Sequence, residues 1–147
     1  MDINGLYQKI ILDHAKKPHN FGILDQYTCT AEGNNPMCGD QLTVYIDVQD
    51  DIVSNVSYRA RGCAISIASA SIMSQTIKGK TLEEVEILFN KFHSLCIGED
   101  IEEDEDTESL KILSGVRKFP ARVKCATLSW HAMISSLKNW KLRILLQ

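Results

Sequence analysis

Apolar residues along this chain follow two periods, helical at the start, strand-like up to about residue 60, and helical again after Cys63. Residues 3–15 place Leu6, Tyr7, Ile10, Ile11 and His14 at helical spacing, and Pro18 and Gly22 stop that helix. Three strands are predicted next, over 27–31, 41–48 and 52–60. In the second, Leu42, Val44, Ile46 and Val48 alternate with polar or smaller residues, and Asp50-Asp51 marks a hairpin turn. After Cys63 the pattern is helical. Residues 64–77 are rich in Ala, Ser and Ile, which suits a helix packed closely on its neighbours, and Gly79 ends it. Thr81-Leu82-Glu83-Glu84 then has the form of a capping box, opening a helix with Leu82, Val85, Leu88, Phe89 and Phe92 as its buried stripe. A short helix is expected over 108–116 around Leu110, Ile112 and Leu113. Pro120 is placed to open a last helix that buries Val123, Trp130, Met133, Ile134, Leu137 and Trp140. Strands first and helices afterwards imply an α+β fold, a small three-stranded antiparallel sheet packed against several helices.

The 147 residues contain no repeat and no Pro/Gly/Ser linker, so a single domain over 1–147 is expected. Apolar stretches fall well short of the roughly 20 residues a membrane span needs, and the N-terminus has no signal-peptide pattern. A cytoplasmic protein with no membrane partner follows as the expectation. Charge is uneven. Residues 99–108 carry eight acids, and removing them would turn the formal net charge of −3 positive. Such a run reads as a solvated loop, or else as a docking surface for a basic partner. Lys9, Lys16 and Lys17 gather near one end of the chain and Lys138, Lys141 and Arg143 near the other. No interleaved basic and aromatic face points to nucleic acid.

The five cysteines change the picture more than the charge does. An odd number argues against a complete disulfide framework. Cys29, inside a predicted strand, and Cys96, at a helix end, read as small buried hydrophobes. The other three stand in Cys38-Gly39-Asp40, Arg61-Gly62-Cys63 and Lys124-Cys125, each at a predicted strand end, loop or helix start. Cys38, Asp40, Cys63 and Cys125 would make a closed tetrahedral set for zinc, with one hard oxygen among soft sulfurs. Gly39 permits the bend that would let Cys38 and Asp40 converge. Cys63 at the mouth of one helix and Cys125 in the first turn of another would both gain thiolate character from the helix dipole, the form that binds metal and attacks sulfur. Arg122, one turn before Cys125, is placed to pair with Asp40 or to stabilise a thiolate. His14, His19, His93 and His131 show no paired ligand spacing and read as packing or helix-end residues.

These segments are specific enough to carry a resemblance. From Leu6 to about Leu137 the chain resembles the IscU-type iron–sulfur assembly proteins, most closely their SufU branch. The similar segments are His14-Ala-Lys-Lys-Pro-His-Asn-Phe-Gly22, Asn35-Pro-Met-Cys-Gly-Asp40, and Gly62-Cys63-Ala-Ile-Ser-Ile-Ala-Ser-Ala-Ser71 with Lys78-Gly79-Lys80 after it. IscU proteins carry a His before the last cysteine and a Pro-Pro-Val-Lys segment upstream. Here the stretch reads Phe119-Pro-Ala-Arg-Val-Lys-Cys125, so Lys124 stands in place of that His. Ala60 departs from a frequent family glycine. The resemblance implies a SufE/IscU-like fold and Zn2+ held by Cys38, Asp40, Cys63 and Cys125. It also implies sulfur transfer from a SufS-type cysteine desulfurase to Cys38, with downstream iron–sulfur assembly proteins as recipients. The alternative it carries is a scaffold on which an iron–sulfur cluster forms between the same ligands. Asp40 and the loop-borne Cys38 are the two ligands expected to open when sulfur is accepted.

Overall fold

A computed structural model describes residues 3–147; the side chains of Ile3, Asn4 and Leu6 lie outside that description, and with them the predicted apolar position Leu6. The chain runs α1 (Ile3–Lys16), β1 (Cys29–Asn35), β2 (Asp40–Gln49), β3 (Ile52–Arg61), α2 (Ala64–Ile77), α3 (Leu82–Cys96) and α4 (Glu105–Leu110). A 3₁₀ segment, Lys111–Lys118, then leads into α5 (Pro120–Leu145). The strands form one antiparallel sheet in the order β1-β2-β3.

Strand β2 is the spine of the sheet. Its alternation holds as predicted: Leu42, Val44, Ile46 and Val48 are buried and the residues between them are not. Gln49 pairs with Ile52 across Asp50-Asp51, both with φ between 50° and 60°, so the hairpin closes through a two-residue turn of left-handed residues. Strand β1 departs from its expected span. It begins at Cys29 and continues through Glu32-Gly33-Asn34 to Asn35, weak strand formers that β2 pairs in register as far as Asn35 with Asp40. Backbone partners override local preference there, and the strand delivers Asn35 to the mouth of the turn.

The helices cover the sheet face that carries Leu42, Val44 and Ile46. Helix α2 occupies the expected residues, and its Ser66, Ala68, Ser69, Ala70 and Ser71 are buried among neighbours, which short side chains allow. Ser69 Oγ donates to the Ala126 carbonyl and ties α2 to α5. On α3 the capping box forms as predicted, Thr81 Oγ1 accepting from Glu84 N and Glu84 Oε1 accepting from Thr81 N. Phe92 of α3 stacks on Trp130 of α5 with ring centroids 4.5 Å apart.

The acidic run is not simply a solvated loop. Asp104 caps α4, so that helix starts at Glu105, three residues before the expected position. Glu103, Asp104 and Asp106 pair with Lys111, Lys91 and Lys80. No helix among the described residues is long and apolar enough to cross a membrane.

Candidate metal centre

One end of the sheet collects four distant segments. There β1 turns into β2 across residues 36–39, β3 ends at Arg61 opposite Gln41, α2 begins, and the second turn of α5 passes by. Cys38 N donates to the Asn35 carbonyl at 3.2 Å, and Gly39 supplies the expected bend by taking a left-handed φ of +70°. The chain thus swings Cys38 round the turn and sets Asp40 as the first residue of β2. The sulfurs of Cys38 and Cys125 and a carboxylate oxygen of Asp40 lie within 4.8 Å of one another. Asp40 and Cys125 are fully buried, whereas Cys38 keeps partial exposure.

The carboxylate of Asp40 is held at both oxygens. Oδ1 accepts from the Cys63 backbone N–H at 2.9 Å, and Oδ2 accepts from Asn35 Nδ2 at 3.4 Å. Gly62 makes the first contact feasible. It has φ +151°, and a Cβ there would stand 2.2 Å from Asp40 Oδ1. No side chain fits in that place. Asn35 is itself buried, and its Nδ2 also reaches Cys125 Sγ at 3.7 Å.

Cys63 is the N-cap of α2 and makes no side-chain cap bond. Its sulfur bears on Cys125 but lies outside the group of three. Cys125 corrects an expectation: it is the sixth residue of α5, not a first-turn residue, so the free N–H groups of the helix start do not reach it. Burial keeps its proton on, and the neighbouring Cys38, Asp40 and Cys63 add to the effect, raising its pKa well above that of an ordinary thiol. Arg122 faces the sulfurs and makes no ion pair with Asp40 among the described residues. Contact with Cys125, then the charges of Cys63, Cys125 and Cys38, raise its proton affinity further.

The donor set fits zinc. Three acidic side chains converge, two of them fully buried, and Arg122 at the exposed rim is the cation that faces them. A divalent ion would supply the positive charge that this arrangement lacks. Ligand atoms on one tetrahedral zinc stand roughly 3.5–3.8 Å apart, given Zn–S and Zn–O bonds near 2.3 and 2.1 Å. The group of three is therefore close to a binding geometry.

Residues outside the centre divide as expected. Cys29 and Cys96 are buried, and burial pushes the Cys96 thiol up to about 12 and raises that of Cys29. His14 Nδ1 meets Ser71 Oγ at 2.8 Å, while His131 and Phe89 pack in a T-shaped pair. A shallow groove of about 700 Å³ on the outer sheet face, lined in part by Phe21, Tyr45, Arg59 and Arg61, contains none of the converging residues. Sequence reading missed Asn35 and Gly62 as site residues. Their only signals were their places, five before Asp40 across a tight turn and next to Cys63.

The NifU-like N-terminal domain family model matches residues 6–126. The zinc-dependent sulfurtransferase SufU of Bacillus subtilis is 40% identical over 132 residues, covering 90% of this chain and 89% of that protein. The iron–sulfur cluster assembly scaffold protein IscU of Streptococcus pyogenes is 35% identical over 137 residues, covering 93% and 86%. A crystal structure of a putative iron–sulfur cluster assembly scaffold protein for the SUF system from Fervidobacterium islandicum superposes with a TM-score of 0.84 at 29% identity, covering 92% of this chain and 99% of that one. With residues 6–126 matched and these relatives aligned over nearly their whole length, the chain belongs to the NifU-like N-terminal domain family.

Proposed function

We propose that this protein is a zinc-dependent sulfur acceptor that takes persulfide sulfur from a cysteine desulfurase of the SufS type for iron–sulfur cluster biogenesis. The observation that carries this reading is the unequal mounting of the converging ligands. Asp40 and Cys125 are buried and tied, while Cys38 rides a glycine turn at the surface. Cys38, Asp40, Cys63 and Cys125 would hold the ion. When bound, zinc would keep these sulfurs as thiolates at neutral pH.

In the transfer, the Cys38 thiolate attacks the outer sulfur of the partner's persulfide. A new S–S bond forms at Cys38, the partner's S–S bond breaks, and the partner's cysteine leaves as a thiolate. The outer sulfur keeps its oxidation level, so neither oxidant nor reductant is required. Arg122, exposed beside the sulfurs, offsets negative charge as two thiolates approach each other. Asp40 was expected to be a point of exchange together with Cys38. Its two hydrogen-bonded oxygens and the absence of space at Gly62 favour Cys38 alone in that role. Recipients of the sulfur would be downstream iron–sulfur assembly proteins.

The test mixes purified protein with cysteine and the desulfurase and follows alanine production with and without zinc. Wild-type zinc protein should accelerate turnover. Equal stimulation by metal-free protein or by Cys38→Ala would end the relay reading. The name of the Streptococcus pyogenes relative favours a second reading, a cluster scaffold built on the same four side chains. Anaerobic reconstitution with iron and sulfide would then yield a stable chromophore that passes to an apo-acceptor, and zinc that is never displaced would count against it.

A further inference from the structure

We infer that Asn35 is a positioning residue for the metal, one that makes Asp40 and Cys125 a preformed half-site and thereby selects Cys38 as the sulfur that opens. The inference rests on the reading of Asp40 and Cys125 as metal ligands.

Asn35 ends β1 and pairs in register with Asp40, so its inward side chain sits between the first residue of β2 and the second turn of α5. It is 5% exposed, and its amide donates to Asp40 Oδ2 at 3.4 Å and to Cys125 Sγ at 3.7 Å. An amide nitrogen has two hydrogens to donate, and here two acceptors lie within its reach. Those acceptors come from residues 85 apart in the sequence, so one side chain sets the spacing between ligands that the backbone alone would not relate. Asp40 Oδ1 is separately fixed by the Cys63 N–H at 2.9 Å. Cys38 has no amide donor on its sulfur among the described residues; that sulfur neighbours Cys125 Sγ, and its backbone N–H is engaged with the Asn35 carbonyl. Donors to ligand atoms orient the lone pairs they leave free and moderate the negative charge crowding the ion. Cys63 Sγ is likewise untied but stands at the start of α2, outside the group of three, so the half tied by Asn35 keeps its grip while the untied Cys38 of that group exchanges.

The test compares wild type with Asn35→Ala and with Asn35→Asp, which keeps the shape but replaces the donor by an acceptor. Zinc-loaded proteins are mixed with a chromogenic chelator, and a brief alkylation followed by peptide mass mapping identifies the first thiol to react. Cobalt(II) forms are compared through their thiolate-to-metal absorption. Wild type should bind one metal per chain and label first at Cys38. Both variants should lose about 10–100-fold in zinc affinity, the range typical for loss of an outer-shell partner, and show it as faster release to the chelator. They should also label Cys125 alongside Cys38 and shift the cobalt spectrum. If Asn35→Ala does not fold, the isosteric Asn35→Asp carries the comparison. Release within about twofold of wild type with Cys38 still labelled first would overturn the inference. So would a rate change matched by an equal loss of metal-free stability, because Asn35 would then serve the fold alone. Wild type that takes up no metal would overturn the ligand reading itself, a result seen before any variant is made.

Discussion

Asp40 and Cys38 stand two residues apart and occupy opposite surroundings. Asp40 opens a strand, is fully buried, has both carboxylate oxygens hydrogen-bonded, and presses on a glycine with no room for a methyl group. Cys38 sits on a four-residue turn, partly exposed, next to Gly39, around which a Cβ would meet nothing within 4 Å. A site meant only to hold an ion gains nothing from such asymmetry, because every loose ligand weakens it. A site that must hold an ion and also release one sulfur needs both a fixed half and a free half. Asp40 of the fixed half and Cys38 of the free half come from one turn of chain, which makes the separation easy to probe.

The strongest way to break the fixed half is Gly62→Ala. The new methyl would stand 2.2 Å from Asp40 Oδ1 and 3.0 Å from Asp40 Cα at φ +151°. Backbone strain alone should cost about 1–3 kcal/mol, and metal content after purification should fall sharply. Urea unfolding and metal analysis measure both.

A direct comparison of the halves comes next. Asp40→Ala leaves the Cys63 N–H and Asn35 Nδ2 without their acceptor and should destabilise the metal-free protein by about 1–3 kcal/mol. Cys38→Ser should change metal-free stability by no more than about 0.5 kcal/mol while removing sulfur acceptance. Equal stability losses in the two variants would erase the distinction between the halves.

Two smaller perturbations serve as controls away from the centre. Burial first, then the neighbouring His19, lowers the pKa of His14, so the unfolded chain binds more protons there than the fold does. Stability should fall as pH drops below the ordinary histidine value of roughly 6.5 and go on falling until the lowered folded value is passed. His14→Asn should flatten that part of the stability profile, below about pH 6.5, and leave the labelling of Cys38 unchanged. Least of all, Asp104→Ala should lower the melting temperature slightly by removing the α4 cap and the Lys91 pair. Part of that loss should vanish at high salt. Glu102→Ala, an exposed acid of the same run, should have no measurable effect.

What the sequence made legible follows from how local each signal was. Helix α2 was read to the residue because Cys63 and Gly79 bound a continuous run of small and apolar residues. The capping box of α3 and the Asp50-Asp51 turn were equally local, and both formed. Strand β1 was misread at both ends because Glu32-Gly33-Asn34-Asn35 are strand only by virtue of β2 opposite them. The same cross-strand register hides Asn35, whose role depends on facing Asp40 and α5 together. Cys125 was placed one turn too early in its helix, so the dipole was credited where burial decides. The acidic run hid its partners because Lys80 and Lys91 approach it only after α3 has folded back. Cys38, Asp40, Cys63 and Cys125 were expected as one set; Cys38, Asp40 and Cys125 come together, while Cys63 stays outside that group, and their unequal burial is a property of packing.

The most direct test of the central claim is where sulfur lands. Zinc-loaded protein would be incubated with cysteine and a SufS-type desulfurase, quenched with an alkylating reagent, and mapped by peptide mass spectrometry. Relay through Cys38 should give a one-sulfur mass increase on the peptide carrying Cys38, with Cys63 and Cys125 unmodified. Persulfide on Cys63 or Cys125, or none on any cysteine while the desulfurase turns over, would contradict it.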